Sequence, residues 1–251
     1  MSGRPDRLTW LGHATAVIDL DGVRLVTDPA VTIRMGHLRR RAPAVRAPEG
    51  ADAVLISHLH LDHMHGPSLR RVGAPIAVVP RGGARHLRRS GADVREVAEG
   101  DEVAVGPVRV RAVHAEHDGR RWPGRPAVPA LGYVVRGSRS VYFAGDTDAY
   151  PGMAALAAEA LDLALMPVWG WGPRLGPGHL DPRSAAEALT LLRPRRAVPI
   201  HWGTYAAAWA RRRPAAAARE PAEEFARHAA VVAPEVEVVL LRPGDATPLD
   251  G

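Results

Sequence analysis

Short apolar runs separated by turns that carry glycine or proline set the pattern of this chain. Thr9 to Leu11, Thr15 to Leu20 and Val23 to Thr27 are rich in β-branched residues, with Asp21-Gly22 between the last two, and predict a meander of strands. Ala53 to Ser57, which runs into a cluster of histidines, and Ile76 to Val79 read as buried strands. Val103 to Val105 and Val108 to Val113 flank Gly106-Pro107, and Tyr133 to Val135 and Ser140 to Ala144 flank Gly137-Ser138. Each is predicted as a strand pair. Further strands are expected at Leu163 to Met166, Ala197 to Ile200 and Val236 to Leu241. Helical patterning covers Pro67 to Val72, Gly82 to Ser90, Met153 to Ala160, Pro182 to Leu192 and Glu220 to Ala230. Ala206 to Glu220, rich in Ala, Arg and Pro, reads as a surface excursion.

Strands and helices are mixed throughout, which predicts an α/β fold of sheets covered by helices. The two halves also echo each other. Strand, turn, strand and aspartate ends at Asp28 and again at Asp146; a buried strand then ends in histidine at His58 and again at His201. This predicts a duplicated architecture with a site between the halves.

Composition narrows the chemistry. The chain has 251 residues, 46% hydrophobic and 24% charged, which is ordinary for a globular protein. No apolar run approaches the roughly 20 residues of a membrane span, and Met1 to Asp6 lacks the apolar core of a signal peptide, so a cytoplasmic protein is expected. There is no cysteine, which excludes disulfides, thiolate ligands and a cysteine nucleophile. There is no lysine either, so all 33 basic residues are arginine and no lysine base or Schiff base exists. The net charge is +6, but the arginine runs (Arg39-Arg40-Arg41, Arg211-Arg212-Arg213 and others) are scattered and read as solvated surface. No basic stripe interleaved with aromatics stands out, so no nucleic-acid partner is expected.

The dominant signal is Ser57-His58-Leu59-His60-Leu61-Asp62-His63-Met64-His65. In an extended strand exit, residues two apart point the same way, so His58 and His60 can share one cation. Asp62 and His63, expected at the start of the following helix, can face a second. Two cations need more ligands, and His114, His117, Asp146 and His201 each follow a predicted strand. A carboxylate such as Asp146 can bridge two cations, and imidazole suits Zn, Mn, Fe or Ni.

His-x-His-x-Asp-His, a later histidine, an aspartate in Gly145-Asp146-Thr147 and a final histidine after a strand resemble the metallo-β-lactamase superfamily. Leu11-Gly12-His13-Ala14-Thr15, Thr27-Asp28-Pro29, His179-Leu180-Asp181-Pro182 and Ile200-His201-Trp202-Gly203-Thr204 are similar to one branch of it. That branch includes N-acyl-phosphatidylethanolamine phospholipase D and L-ascorbate-6-phosphate lactonase. The resemblance implies a four-layer αβ/βα sandwich formed by residues 1–251 as a single domain. It implies one metal on His58, His60 and His117, a second on Asp62, His63 and His201, and Asp146 bridging them. Two divalent ions per chain are expected, zinc first and manganese second, about 3.5–4 Å apart. His114 is the alternative to His117. Asp28 and His13 are expected to support the ligands by hydrogen bonds.

The implied activity is a metal-dependent hydrolase that uses a metal-bound hydroxide on a small ester, lactone or phosphodiester. The alternatives are a nuclease-like phosphodiesterase and a non-catalytic metal-binding protein. Asp62 would ligate, orient the nucleophile and later protonate the leaving group; His179 would face the pocket as a hydrogen-bond donor. Trp169, Trp171 and Trp202 either wall an apolar pocket or pack in the core. Arg120 and Arg121 either hold an anionic group of the substrate or form an exposed pair. Tyr205 is a weaker candidate of the same kind, and His37, His86 and His228 read as surface residues. The partner is thus a small molecule, neutral or anionic; related lactonases assemble as oligomers, so a homo-oligomer is one option, although the sequence does not fix the oligomeric state.

Overall fold

The computed structural model describes residues 4–88, 90–120, 127–170, 176–210 and 215–250. The predicted meander forms β1 (Arg7–Gly12), β2 (Thr15–Leu20) and β3 (Val23–Thr27). A short hairpin, β4 (Arg34–Met35) and β5 (Leu38–Arg40), precedes β6 (Ala53–Leu55), helix α1 (Gly66–Val72), β7 (Ile76–Pro80) and β8 (Asp93–Val97). The second half holds β9 (Glu102–Val105), β10 (Val108–His114), β11 (Leu131–Arg136), β12 (Ser140–Phe143) and β13 (Leu163–Pro167). Then come α2 (Pro182–Leu192), β14 (Arg196–Ile200), β15 (Tyr205–Ala207), α3 (Ala215–Val232), β16 (Glu237–Val238) and β17 (Ala246–Pro248).

One sheet runs β17-β1-β2-β3-β6-β7-β8, a second β16-β14-β13-β12-β11-β10-β9, and a small accessory sheet β15-β5-β4. In the first sheet the pairings from β17 to β3 are antiparallel and those from β3 to β8 parallel. The second sheet repeats the pattern, antiparallel from β9 to β12 and parallel from β12 to β16. The echo between the halves is therefore present in the strand pairings themselves.

Alternation along the first sheet divides its side chains between two layers. Ala16, Ile18, Leu20, Leu25, Leu55 and Val78 join the core shared with the second sheet. Val17, Val26, Val54, Ala77 and Val79 point the other way and pack with Leu69 and Val72 of α1. Ala185, Leu189 and Leu192 of α2 and Phe225 of α3 are buried with second-sheet residues such as Leu163 and Val198. The result is the expected α/β sandwich.

Several elements differ from the sequence pattern. Gly82 to Ser90 yields only a 3₁₀ turn at Ala84–His86, and Met153 to Ala160 lies in a 3₁₀ helix, Pro151–Glu159. Its buried residues, Met153 and Leu156, are three apart, which is the spacing a 3₁₀ helix aligns. The surface excursion contains β15 and the first turns of α3, so that helix starts before Pro221 instead of using it in the first turn. The strand expected at Val236 to Leu241 shrinks to β16. Among the described residues, no helix is long and apolar enough to cross a membrane.

The layout gathers the chemistry at one edge. Asp28 follows β3, His58 follows β6, His117 follows β10, Asp146 follows β12 and His201 follows β14. Side chains beyond the carboxyl ends of neighbouring strands share one crevice. Backbone bonds lock the two halves there: Leu131 N–H to Ser57 O at 2.9 Å, and His201 N–H to His13 O at 2.9 Å.

Candidate metal centre

Two groups of ligand atoms converge in this crevice. His58, His60 and His117 form one, and His13, Asp62, His63 and His201 the other; within each, the ligand atoms lie within 4.8 Å of one another. In the first group His60 Nδ1 is 3.0 Å from His58 Nε2 and 3.2 Å from His117 Nε2. In the second, His63 Nε2 is 3.1 Å from His201 Nε2. Asp146 lies between them. Its Oδ2 is 3.1 Å from His63 Nε2 and 3.9 Å from His58 Nε2, and its Oδ1 is 3.3 Å from His201 Nε2.

The outward nitrogen of each imidazole is already committed. His117 Nδ1–H donates to Gly178 O at 2.8 Å, and His201 Nδ1–H to Trp169 O at 2.6 Å. His63 Nδ1–H donates to Asp28 Oδ2 at 2.7 Å. His58 Nδ1–H donates to Ser57 Oγ at 2.9 Å; that hydroxyl in turn donates to Asp28. His60 is hydrogen-bonded to the Arg120 backbone. These bonds leave the inward nitrogens of His58, His60 and His117 to face one another as lone pairs at about 3 Å, an arrangement that repels unless a cation sits between them. Nitrogens on one tetrahedral ion, each about 2.0–2.1 Å from it, are about 3.3 Å apart, which matches the spacing here. Asp146 Oδ1 is buried and accepts no hydrogen bond among the described residues, as expected of an oxygen reserved for a cation. The residues present therefore fit a metal centre.

Electrostatics agrees. Burial pushes His58, His60 and His117 below the ordinary imidazole value, and His201 down to about 3, so all four are neutral ligands at pH 7. Burial acts the same way on His63, but Asp146, Asp62 and Asp28 outweigh it and hold His63 well above that value. Burial would raise Asp146 and Asp62; the imidazoles around them, His201 and His63 foremost for Asp146 and His63 and His13 for Asp62, hold both carboxyls below the usual range.

Backbone strain concentrates in the same place. His13, Asp28 and His201 are non-glycine residues in the left-handed region, with φ of 54°, 30° and 65°. Such conformations persist where the surroundings overdetermine them. Gly145, beside Asp146, has φ of 65°, and a Cβ there would meet Ser57 Cβ at 2.6 Å, so the Asp146 turn packs directly on the histidine loop.

The beta-lactamase superfamily domain matches residues 23–202, a span that carries the histidine cluster, Asp146 and His201. The chain belongs to that superfamily. A metal-dependent hydrolase of Methanopyrus kandleri is 31% identical, the match covering 95% of this chain and 98% of that one. The N-acyl-phosphatidylethanolamine-hydrolyzing phospholipase D 1 of Caenorhabditis elegans is 31% identical over 78% of this chain and 64% of its own. Among solved structures, Igni18, a metallo hydrolase of Ignicoccus hospitalis, superposes with a TM-score of 0.71 at 23% identity, covering 96% of this chain and 97% of that one. That likeness shows the metallo-β-lactamase fold.

Seen in this superfamily's crevice, the other residues singled out in the sequence divide clearly. His114, the alternative to His117, turns away to Glu99 and Glu116, each 3.3 Å distant. His179 stands at the open side, its Nε2 3.5 Å from Asp146 Oδ2 and its ring edge-on to His117. His13 Nε2–H donates to Asp62 Oδ2 at 3.0 Å, the supporting bond expected of it. Trp169 reaches the centre through its carbonyl, while its ring packs against the core. Trp202 is a core aromatic: it is buried, its Nε1–H donates to Pro199 O, and its ring lies 4.9 Å from that of Trp10. Tyr205 is buried too, with its hydroxyl on the Ala30 and Thr32 carbonyls, so it braces loops and offers no group to a substrate. Arg120 is exposed and pairs with Asp118 at 3.3 Å. Arg121 and Trp171 lie outside the described residues. Two contributors went unread in the sequence: Ser57, hidden as the residue before the cluster, and the buried Arg40, hidden in an arginine run.

Proposed function

We propose that this chain works with two divalent cations, one held by His58, His60 and His117 and the other by Asp62, His63 and His201, with Asp146 between them. The coarser statement, a metal-dependent hydrolase of the metallo-β-lactamase superfamily, follows from family membership. The finer one is supported by a single observation: five imidazoles have their outer nitrogens tied and their inner nitrogens aimed at two points that share Asp146. Cations held there supply a water nucleophile that is active near neutral pH and polarise the oxygen of the scissile carbonyl or phosphoryl group.

The chain's own groups do the rest. Asp62, anchored through Oδ2 by His13 and ionised at neutral pH, would orient the attacking water, accept its proton and return that proton to the leaving group. Burial works against a charged His179, but the hydrogen bond to Asp146 outweighs it and raises its pKa, and its ring stands at the open side with Nε2 3.5 Å from Asp146 Oδ2. His179 is the donor to the oxygen that gains charge as the bond breaks. Substrates are small esters, lactones or phosphodiesters; the name of the worm relative places phosphodiesters in the test set. Because Asp118 offsets Arg120, neutral and anionic members of each class belong there together.

The test is metal analysis of protein loaded with zinc or manganese, followed by matched lactone, carboxyl-ester and bis-aryl phosphodiester substrates. Two ions per chain with turnover of one class is the expected result. A single bound ion, or two ions with no turnover of any class, would sink the reading.

A further inference from the structure

Arg40 is 5% exposed, with Arg196 one of two buried arginines among the described residues. Its Nε–H donates to Pro43 O at 2.9 Å, Nη1–H to Ala30 O at 3.1 Å and to the Tyr205 hydroxyl at 3.4 Å, and Nη2–H to Leu11 O at 2.6 Å. Each acceptor is neutral, and no ion pair to Arg40 occurs among the described residues. A buried cation without a counter-charge is costly, so its hydrogen bonds must secure something that needs securing.

What they secure is a set of three loops. Leu11 leads into Gly12 and His13; Ala30 closes the turn that begins at Asp28; Tyr205 follows the His201–Thr204 turn. Each loop holds one of the left-handed residues, His13, Asp28 or His201. The same loops support the second ligand group, through His13 on Asp62, Asp28 on His63, and His201 itself. Thr204 Oγ1 also accepts from His13 N–H at 2.7 Å, and the His13 ring lies 4.0 Å from that of His201. Gly12 shows how tight this junction is: a Cβ would meet Thr204 at 2.8 Å and Arg40 Nη2 at 3.1 Å. The first group leans on these loops at one point only, where Ser57 reaches back to Asp28; its other supports, the Arg120 backbone and Gly178, lie elsewhere.

We infer that Arg40 is a positioning residue for the second ligand group, holding three strained loops in the register that cation binding requires. The inference rests on the two-cation reading. It is asymmetric: loss of the guanidinium weakens the cation of the second group much more than that of the first.

Arg40→Met and Arg40→Lys test it by metal titration against a competing chelator, with zinc as the probe, alongside the melting temperature of the metal-free protein. For Arg40→Met one of the two ions should lose about 10- to 100-fold in affinity, the scale of losing a group that orients ligands. The other should lose far less, since two of its three supports lie outside these loops. Arg40→Lys, which keeps the charge and part of the donor set, should recover part of the loss, and it decides the matter alone if Arg40→Met does not fold. Two ions bound with unchanged affinity in the folded variants overturn the inference. Equal weakening of both ions with a lowered melting temperature also overturns it, because that is general destabilisation. A wild-type chain that takes up one ion overturns the two-cation reading, and this inference with it.

Discussion

Asp146 faces both imidazole groups, His58 and His63 through Oδ2 and His201 through Oδ1, so it is the residue whose loss should be felt twice. Asp146→Ala is expected to release at least one ion per chain and to abolish hydrolysis, read by metal analysis and the best panel substrate; His228→Ala, on the surface against Glu224, should change neither. Asp28→Asn keeps the shape but weakens the acceptor for His63 Nδ1–H and for the Ser57 hydroxyl and amide. Metal affinity should fall about 10- to 100-fold in the same titration; wild-type affinity would mean that Asp28 only shapes the turn. At this scale the sequence was legible where the candidate side chains are contiguous, since His58, His60, Asp62 and His63 leave one strand together and converge in the crevice. It was poorest where partners are distant. Nothing local separates His117 from His114: the choice depends on Gly178 waiting for one ring and Glu99 for the other. Trp202 and Tyr205 sit beside His201 in sequence, yet the carbonyls of Pro199, Ala30 and Thr32 turn their polar atoms inward.

Among elements, α2 was readable to the residue because its signals are all local. Asp181 accepts from the Arg183 and Ser184 amides, Ser184 answers in a capping box, Pro182 opens the helix and Arg193 ends it in a left-handed conformation. Asp181→Ala should cost about 0.5–2 kcal/mol, measured by urea denaturation; an unchanged midpoint would show that packing on α3 alone sets this helix. The elements that were not legible are β4, β5, β8, β15 and β17, of two to five residues each. Strands so short carry too few alternations to announce themselves, and their partners supply the pattern. β5 makes the point: Leu38 and Arg40 are buried while Arg39 is exposed, an alternation that shows Arg40 facing inward only once β4 and β15 flank it.

For the molecule as a whole, the missing lysine and cysteine leave an unusually clean alkaline titration. Above about pH 9 the side chains that titrate are the phenols, with arginine charged throughout. Burial raises all four tyrosines, Tyr150 to about 12, Tyr133 and Tyr142 well above the usual value and Tyr205 less far. A raised folded-state pKa means the native chain keeps protons that the unfolded chain releases from about pH 10. Their contribution is therefore complete below about pH 10 and is lost as pH climbs through the folded values. The urea midpoint should fall steadily above that point, and tyrosinate absorbance should appear together with unfolding; a flat midpoint, or tyrosinate in the native state, would contradict this. β17 raises a different matter, that of solubility. It covers the outer edge of β1 by pairing Arg7 with Pro248, Leu8 with Thr247 and Thr9 with Ala246. Stripped of that cover, β1 would present an open row of amides and carbonyls beside the buried Leu8 and Trp10, a template for another chain to add a strand. A chain cut after Gly244 should therefore self-associate with rising concentration in light scattering while its crevice ligands remain in place, so this three-residue strand serves chiefly to keep one copy of the protein from sticking to the next.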